Sequence, residues 1–237
     1  QFKLNERTQG EHEMSISLDD SKRTAIACQL ASIKEVQNLL IANEEKLMSS
    51  CSDSAICDRL GKMLEDDKKN LGVLDTVLVQ YGVQGEPKET VTKMIEEVHE
   101  LMEGSELSLY EKISQHELLK HQQFMSGVLV HKAAQVVGAD VEAAITPLNT
   151  VNFENRAHQE QLKGVLEAVG VRELTGQEPK QGLWARVQDA VAALSGAAGS
   201  AVTQSSDKSD MNVEDVIRMD HNKVNMLFMQ IDGTNDP

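Results

Sequence analysis

The chain has little of what β proteins are built from. Aromatic residues make up 3% of its 237 residues, and there are four prolines. Sandwiches and barrels lean on aromatic and β-branched side chains, whereas Leu, Ala, Met, Glu, Lys and Gln favour helix. The imbalance predicts an all-α fold. No apolar run approaches the ~20 residues of a membrane-spanning helix. Cysteine is scarce and odd in number: Cys28, Cys51 and Cys57. That is no disulfide framework, and it predicts the reduced thiols of a cytoplasmic protein, although Cys51 and Cys57 flank an expected turn and would meet if oxidised. No signal peptide is legible, and the first residue is Gln1 rather than Met, which predicts a fragment or a trimmed chain.

Basic charge is scarce as well. Lys and Arg number 23 against 38 Asp and Glu, for a formal net charge of −15, and no segment is dense in Lys or Arg. A surface of that sign repels phosphate backbones, which supply much of the affinity of nucleic-acid binding. No nucleic-acid partner is therefore expected. No phosphate loop, dinucleotide fingerprint or nucleophile constellation is visible, because the Gly-rich pieces follow no strand. No catalytic residue is assigned.

What is present is a repeat. Leu60, Leu74, Val77, Leu78 and Gly82 recur 88 positions later as Leu148, Leu162, Val165, Leu166 and Gly170. Both copies then reach Glu-Pro-Lys, at Glu86–Lys88 and at Glu178–Lys180. Helices are predicted over Ser21–Ser49, Ser54–Tyr81, Lys88–Met102, Leu107–Val137, Val141–Val169 and Gln181–Leu194. Gly82 and Gly170 stand where a helix end wants a positive φ, and Pro87 and Pro179 where a new helix starts. Leu60, Leu64, Leu71, Leu74 and Leu78 form one apolar stripe, and Leu148, Val151, Leu162, Val165, Leu166 and Val169 another. Two antiparallel hairpins of this kind pack as a four-helix bundle, with the short third helix as crossover. Met94, Met102 and Met125 are expected to fill the core, and Trp184 to pack a short helix onto the bundle.

Polar residues interrupt both stripes at equivalent positions, Asp67 and Asn70 in one and Asn155 and His158 in the other. This arrangement resembles the ferritin-like family over roughly residues 20–195. Those bundles hold two irons with Glu-x-x-His on two helices and a lone Glu on each of the others. The bundle matches but the ligand motif does not, since Asp67-x-x-Asn70 and Asn155-x-x-His158 stand in its place. The expectation is a buried hydrogen-bonded layer left from a lost metal site. The competing expectation is a working site of Glu35, Asp67, His121, Glu154 and His158. Glu117, His116 and His131 lie on the same helix as His121, but the histidines do not share one face.

From Ser195 the composition turns to Gly, Ala, Ser, Thr and Asp, a flexible linker. Beyond it, Val213, Val216, Ile217, Val224, Leu227, Phe228 and Ile231 mark an amphipathic helix carrying Asp220-His221. This segment resembles the first helix of a hemerythrin HHE domain. The resemblance implies that His221 is the first ligand of a non-haem diiron centre whose other ligands lie beyond Pro237. The expected domains are an arm over 1–20, the bundle over 21–194, a linker over 195–212 and an incomplete hemerythrin-like domain over 213–237.

The first function expected is therefore a hemerythrin-like, iron-dependent protein that binds or responds to oxygen or peroxide, with no complete iron site in this chain. The alternative is a metal-free interaction module whose acidic surface self-associates, as a homodimer, with the last helix as a docking element. A third is a ferritin-like iron oxidase with an atypical site. No membrane partner is expected.

Overall fold

The computed structural model describes the backbone of residues 2–178 and the side chains of residues 20–178. The predicted helix Gln181–Leu194, Trp184, the linker, and the 213–237 segment with His221 lie outside the described residues. Those residues form six helices and no strand: α1 Phe2–Ser50, α2 Ser54–Tyr81, α3 Glu89–Glu103, α4 Leu109–Val137, α5 Ala139–Ile145 and α6 Leu148–Thr175. The fold is all-α, as the composition implies. No helix among the described residues is long and apolar enough to cross a membrane.

Most boundaries follow local chemistry. Asp53 opens α2 by accepting from the amides of Ala55 and Ile56, satisfying donors that a helix start leaves orphaned. Gly82 closes it in the left-handed region at φ 70°, where a Cβ would be strained. Ser108 and Glu111 form a reciprocal capping box at the start of α4. Three expectations are corrected. The helix predicted over Ser21–Ser49 begins at Phe2, so the backbone expected as an arm over 1–20 is part of α1. The helix predicted over Val141–Val169 is split at Thr146–Pro147 into α5 and α6, because proline supplies no amide to continue the helical hydrogen bonds. Gly170 does not end α6, which runs on to Thr175, and Gly176 takes the positive φ of 66° instead.

The chain divides into two compact units, Gln1–Arg156 and Ala157–Pro237. In the first, α1 packs along α2, α3 and α4, and α5 packs on α2 and α4. One core joins Ile26, Leu30 and Ile33 of α1 to Leu74, Val77 and Tyr81 of α2, Val130 and Ala134 of α4, Val141 and Ile145 of α5, and Leu148 and Val151 of α6. A second cluster sets Val36, Leu39 and Leu40 of α1 and Leu119 of α4 against Val91, Met94, Ile95 and Val98, so α3 lies over α1. The loop before α3 passes so close to α1 that a Cβ on Gly85 would meet the backbone of Ala27 and Cys28. Met102 is a core residue as expected and Met94 packs half buried against the second cluster, whereas Met125 is exposed. Cys51 and Cys57 are joined as a disulfide across the α1–α2 turn, rather than standing as two reduced thiols, and Cys28 is free. Of the second unit, the described part is the remainder of α6, whose buried apolar residues are Leu162, Val165, Ala168 and Val169.

Candidate buried polar site

The buried face of α2 runs Ile56, Leu60, Met63, Asp67, Asn70, Leu74, Val77, Tyr81. Asp67 and Asn70 therefore lie on the core-facing stripe itself, whereas Leu64, Leu71 and Leu78 are only half buried beside it. On α1 the steps of three and four through Leu30, Ile33, Gln37, Leu40, Glu44 and Leu47 bring Glu44 inward. On α4 the same spacing brings in Ile113, His116, Lys120 and Gln123.

These faces meet in a polar quartet, Glu44, Asp67, His116 and Lys120, whose side chains are all 0% exposed. The Lys120 ammonium bridges the two carboxylates, 3.1 Å from Glu44 Oε1 and in contact with Asp67 Oδ2. His116 Nε2 lies 3.1 Å from the same Glu44 oxygen. Amides complete the layer. Gln37 donates to the Asp67 backbone carbonyl at 3.2 Å, and Gln123 donates to Ile33 O at 2.9 Å and to Gln37 Oε1 at 3.1 Å. Burial works against charge on Lys120, yet Glu44 and Asp67 together outweigh it and hold the ammonium above its ordinary value of 10.5. A second buried ammonium, Lys112, donates at 2.7 Å to both Met102 O and Gly104 O, where the end of α3 presents unpaired carbonyls.

Some polar atoms in this layer have no hydrogen-bond partner among the described residues: Glu44 Oε2, His116 Nδ1, Asn43 Nδ2 and both side-chain atoms of Asn155. Asp67, Asn70, Asn155 and His158, the residues of the expected layer, are each buried, but the Asn155 side chain makes no hydrogen bond among the described residues.

The residues expected to form a working site differ in burial. Asp67 is central. Glu35 is half buried, and Gln37 faces the core instead. His121 is exposed and Glu154 half buried, while His158 belongs to the second unit. The inward carboxylate of α1 is Glu44, and the inward polar residues of α4 include His116 and Lys120. A ferritin-like iron pair needs four carboxylates and two histidines. The first unit offers Glu44, Asp67 and His116, with an ammonium already seated between the carboxylates. This donor set does not fit two irons.

Comparison with known proteins decides the direction of the functional reading. Over 224 residues the chain is 64% identical to a protein of Nostoc sp. (strain PCC 7120 / SAG 25.82 / UTEX 2576) named "DNA nickase". The match takes in 94% of this chain and 64% of that protein's length. No family model matches, and no solved structure does. This relative overturns two expectations. A hemerythrin-like role in oxygen or peroxide binding and oxidative stress, with its iron-oxidase variant, gives way, because a protein so similar is named for action on DNA. The expectation of no nucleic-acid partner falls on the same finding. A net charge of −15 is a sum over the whole surface and does not by itself exclude a local contact with nucleic acid.

Proposed function

We propose that this chain belongs to a protein that cuts one strand of duplex DNA. The observation that carries the proposal is the 64% identity over 224 residues to the Nostoc protein named DNA nickase. Nicking adds water across one phosphodiester bond, and the transition state gathers negative charge on the phosphoryl oxygens that a cation or donor must offset. The reacting groups must therefore reach a phosphate at the protein surface. Glu44, Asp67, His116 and Lys120 are wholly buried, so they take no direct part. Their role in this reading is to hold α1, α2 and α4 together as the scaffold of the cutting protein. The acidic surface implies weak electrostatic capture of DNA, and hence binding that depends less steeply on salt than that of a basic protein.

The test is conversion of supercoiled plasmid to open circles by this chain and by the Nostoc relative in parallel, with ligase resealing to confirm single-strand breaks. Open circles appearing before linear product are expected from both. If the relative nicks and this chain leaves the plasmid supercoiled, the proposal fails for this chain.

A further inference from the structure

One face of α4 is apolar where it meets solvent. Leu118, Met125, Leu129 and Val136 are 54%, 50%, 61% and 85% exposed. At 3.6 residues per turn they fall within an arc of about 40°, along about 27 Å of helix. Scattered exposed apolar residues are ordinary, but an aligned row is not. The row also has the spacing of a coiled-coil seam, with Gln122 and Lys132 at the two remaining seam positions.

Charge distinguishes the same face. Between Glu117 and Asp140 there is no carboxylate, the longest acid-free stretch in a chain with 38 Asp and Glu. Two copies of a molecule with net charge −15 repel over most of their surfaces. Here they do not. The seam is also its own complement: the pairs Leu118 and Val136, Gln122 and Lys132, and Met125 and Leu129 are each centred on position 127. Two α4 helices laid antiparallel about that point set Met125 on Leu129 of the other copy, Leu118 on Val136, and Gln122 on Lys132. A two-fold axis requires this kind of self-matching surface.

We propose that α4 is a dimerisation helix that pairs with α4 of a second copy, antiparallel about position 127. The partner is recognised by an apolar, carboxylate-free seam and not by the acidic surface. A single helix face of this length falls short of the roughly 800 Å² per partner of standard interfaces, which places the dimer in the weak class, with a Kd in the micromolar range. This inference does not depend on the DNA-cutting reading.

Sedimentation equilibrium of the whole chain without DNA tests it. Wild type is expected to dimerise with a micromolar Kd. Leu129→Glu, at an exposed position, is expected to weaken the dimer at least tenfold while far-UV circular dichroism stays unchanged. The register has its own test at position 122. Gln122→Glu faces Lys132 of the partner twice per dimer and tightens association, whereas Gln122→Lys opposes it twice and loosens it. The two variants should differ by about three- to tenfold in Kd, less at high salt. A wild type that stays monomeric, or a dimer indifferent to Leu129→Glu, overturns the proposal. Equal weakening by both changes at Gln122 overturns the antiparallel register.

Discussion

Lys120 is the residue on which the core of the first unit should depend most. Its ammonium is buried between Glu44 and Asp67, so Lys120→Met leaves two carboxylates in the interior without their cation. Removing one partner of a buried ion pair costs about 3–5 kcal/mol, and two stranded carboxylates place this change at the upper end. That is a large part of the roughly 5–15 kcal/mol that holds a typical domain folded. Urea unfolding followed by far-UV circular dichroism should show a midpoint lower by on the order of 2 M. Adding Glu44→Gln and Asp67→Asn removes the stranded charges and should restore most of the loss, because neutralising a whole buried network is far milder than breaking it. The pH dependence has a definite sign. The folded state raises Lys120 above its ordinary value of 10.5. The charge therefore contributes stability that is complete below that value and is lost as pH climbs through the higher folded-state value. Lys120→Met should lack this alkaline loss. A midpoint change worth less than about 1 kcal/mol would refute the reasoning, since it would mean the carboxylates find other compensation.

Three further outcomes are expected. Reducing Cys51–Cys57, which closes a short loop at the α1–α2 turn, should lower stability by about 2 kcal/mol on the loop-entropy argument; thermal unfolding with and without reductant checks this, and Cys28→Ser should leave the difference intact. Ser108→Ala removes one half of the capping box at α4 and should cost about 1 kcal/mol, seen as a melting temperature lower by about 2–4 °C. Gly85→Ala places a Cβ against the backbone of Ala27 and Cys28, so the α2–α3 loop must lift from α1; a loss of about 1–3 kcal/mol or more is expected in chemical unfolding, with proteolysis increased in that loop.

Much of the fold was legible in the residues. Helical composition, three- and four-residue apolar spacing, and the glycine stop at Gly82 are local signals, and α2, α3 and α4 begin and end within two residues of the predicted bounds. The site was legible only in part. Asp67 was visible as a polar residue in an apolar stripe. Glu44 lay at the right step from Leu40 and Leu47, and the same periodicity would have found it. Lys120 gave no such sign, because a lysine in a helix is ordinarily a surface residue. Glu35 and His121 attracted attention by residue type, yet the helix turns them away from the core.

The sequence by itself determined that this chain is helical, where α2, α3 and α4 begin and end, and which faces carry apolar side chains, because each depends on neighbours within a turn or two. Only the tertiary structure decided that Glu44, Asp67, His116 and Lys120 share one buried layer. Their positions span 76 residues from Glu44 to Lys120, and nothing local fixes how α1, α2 and α4 rotate about their axes. Packing of the apolar faces sets those rotations. A charge that would be ordinary on the surface then becomes the counter-ion of the core.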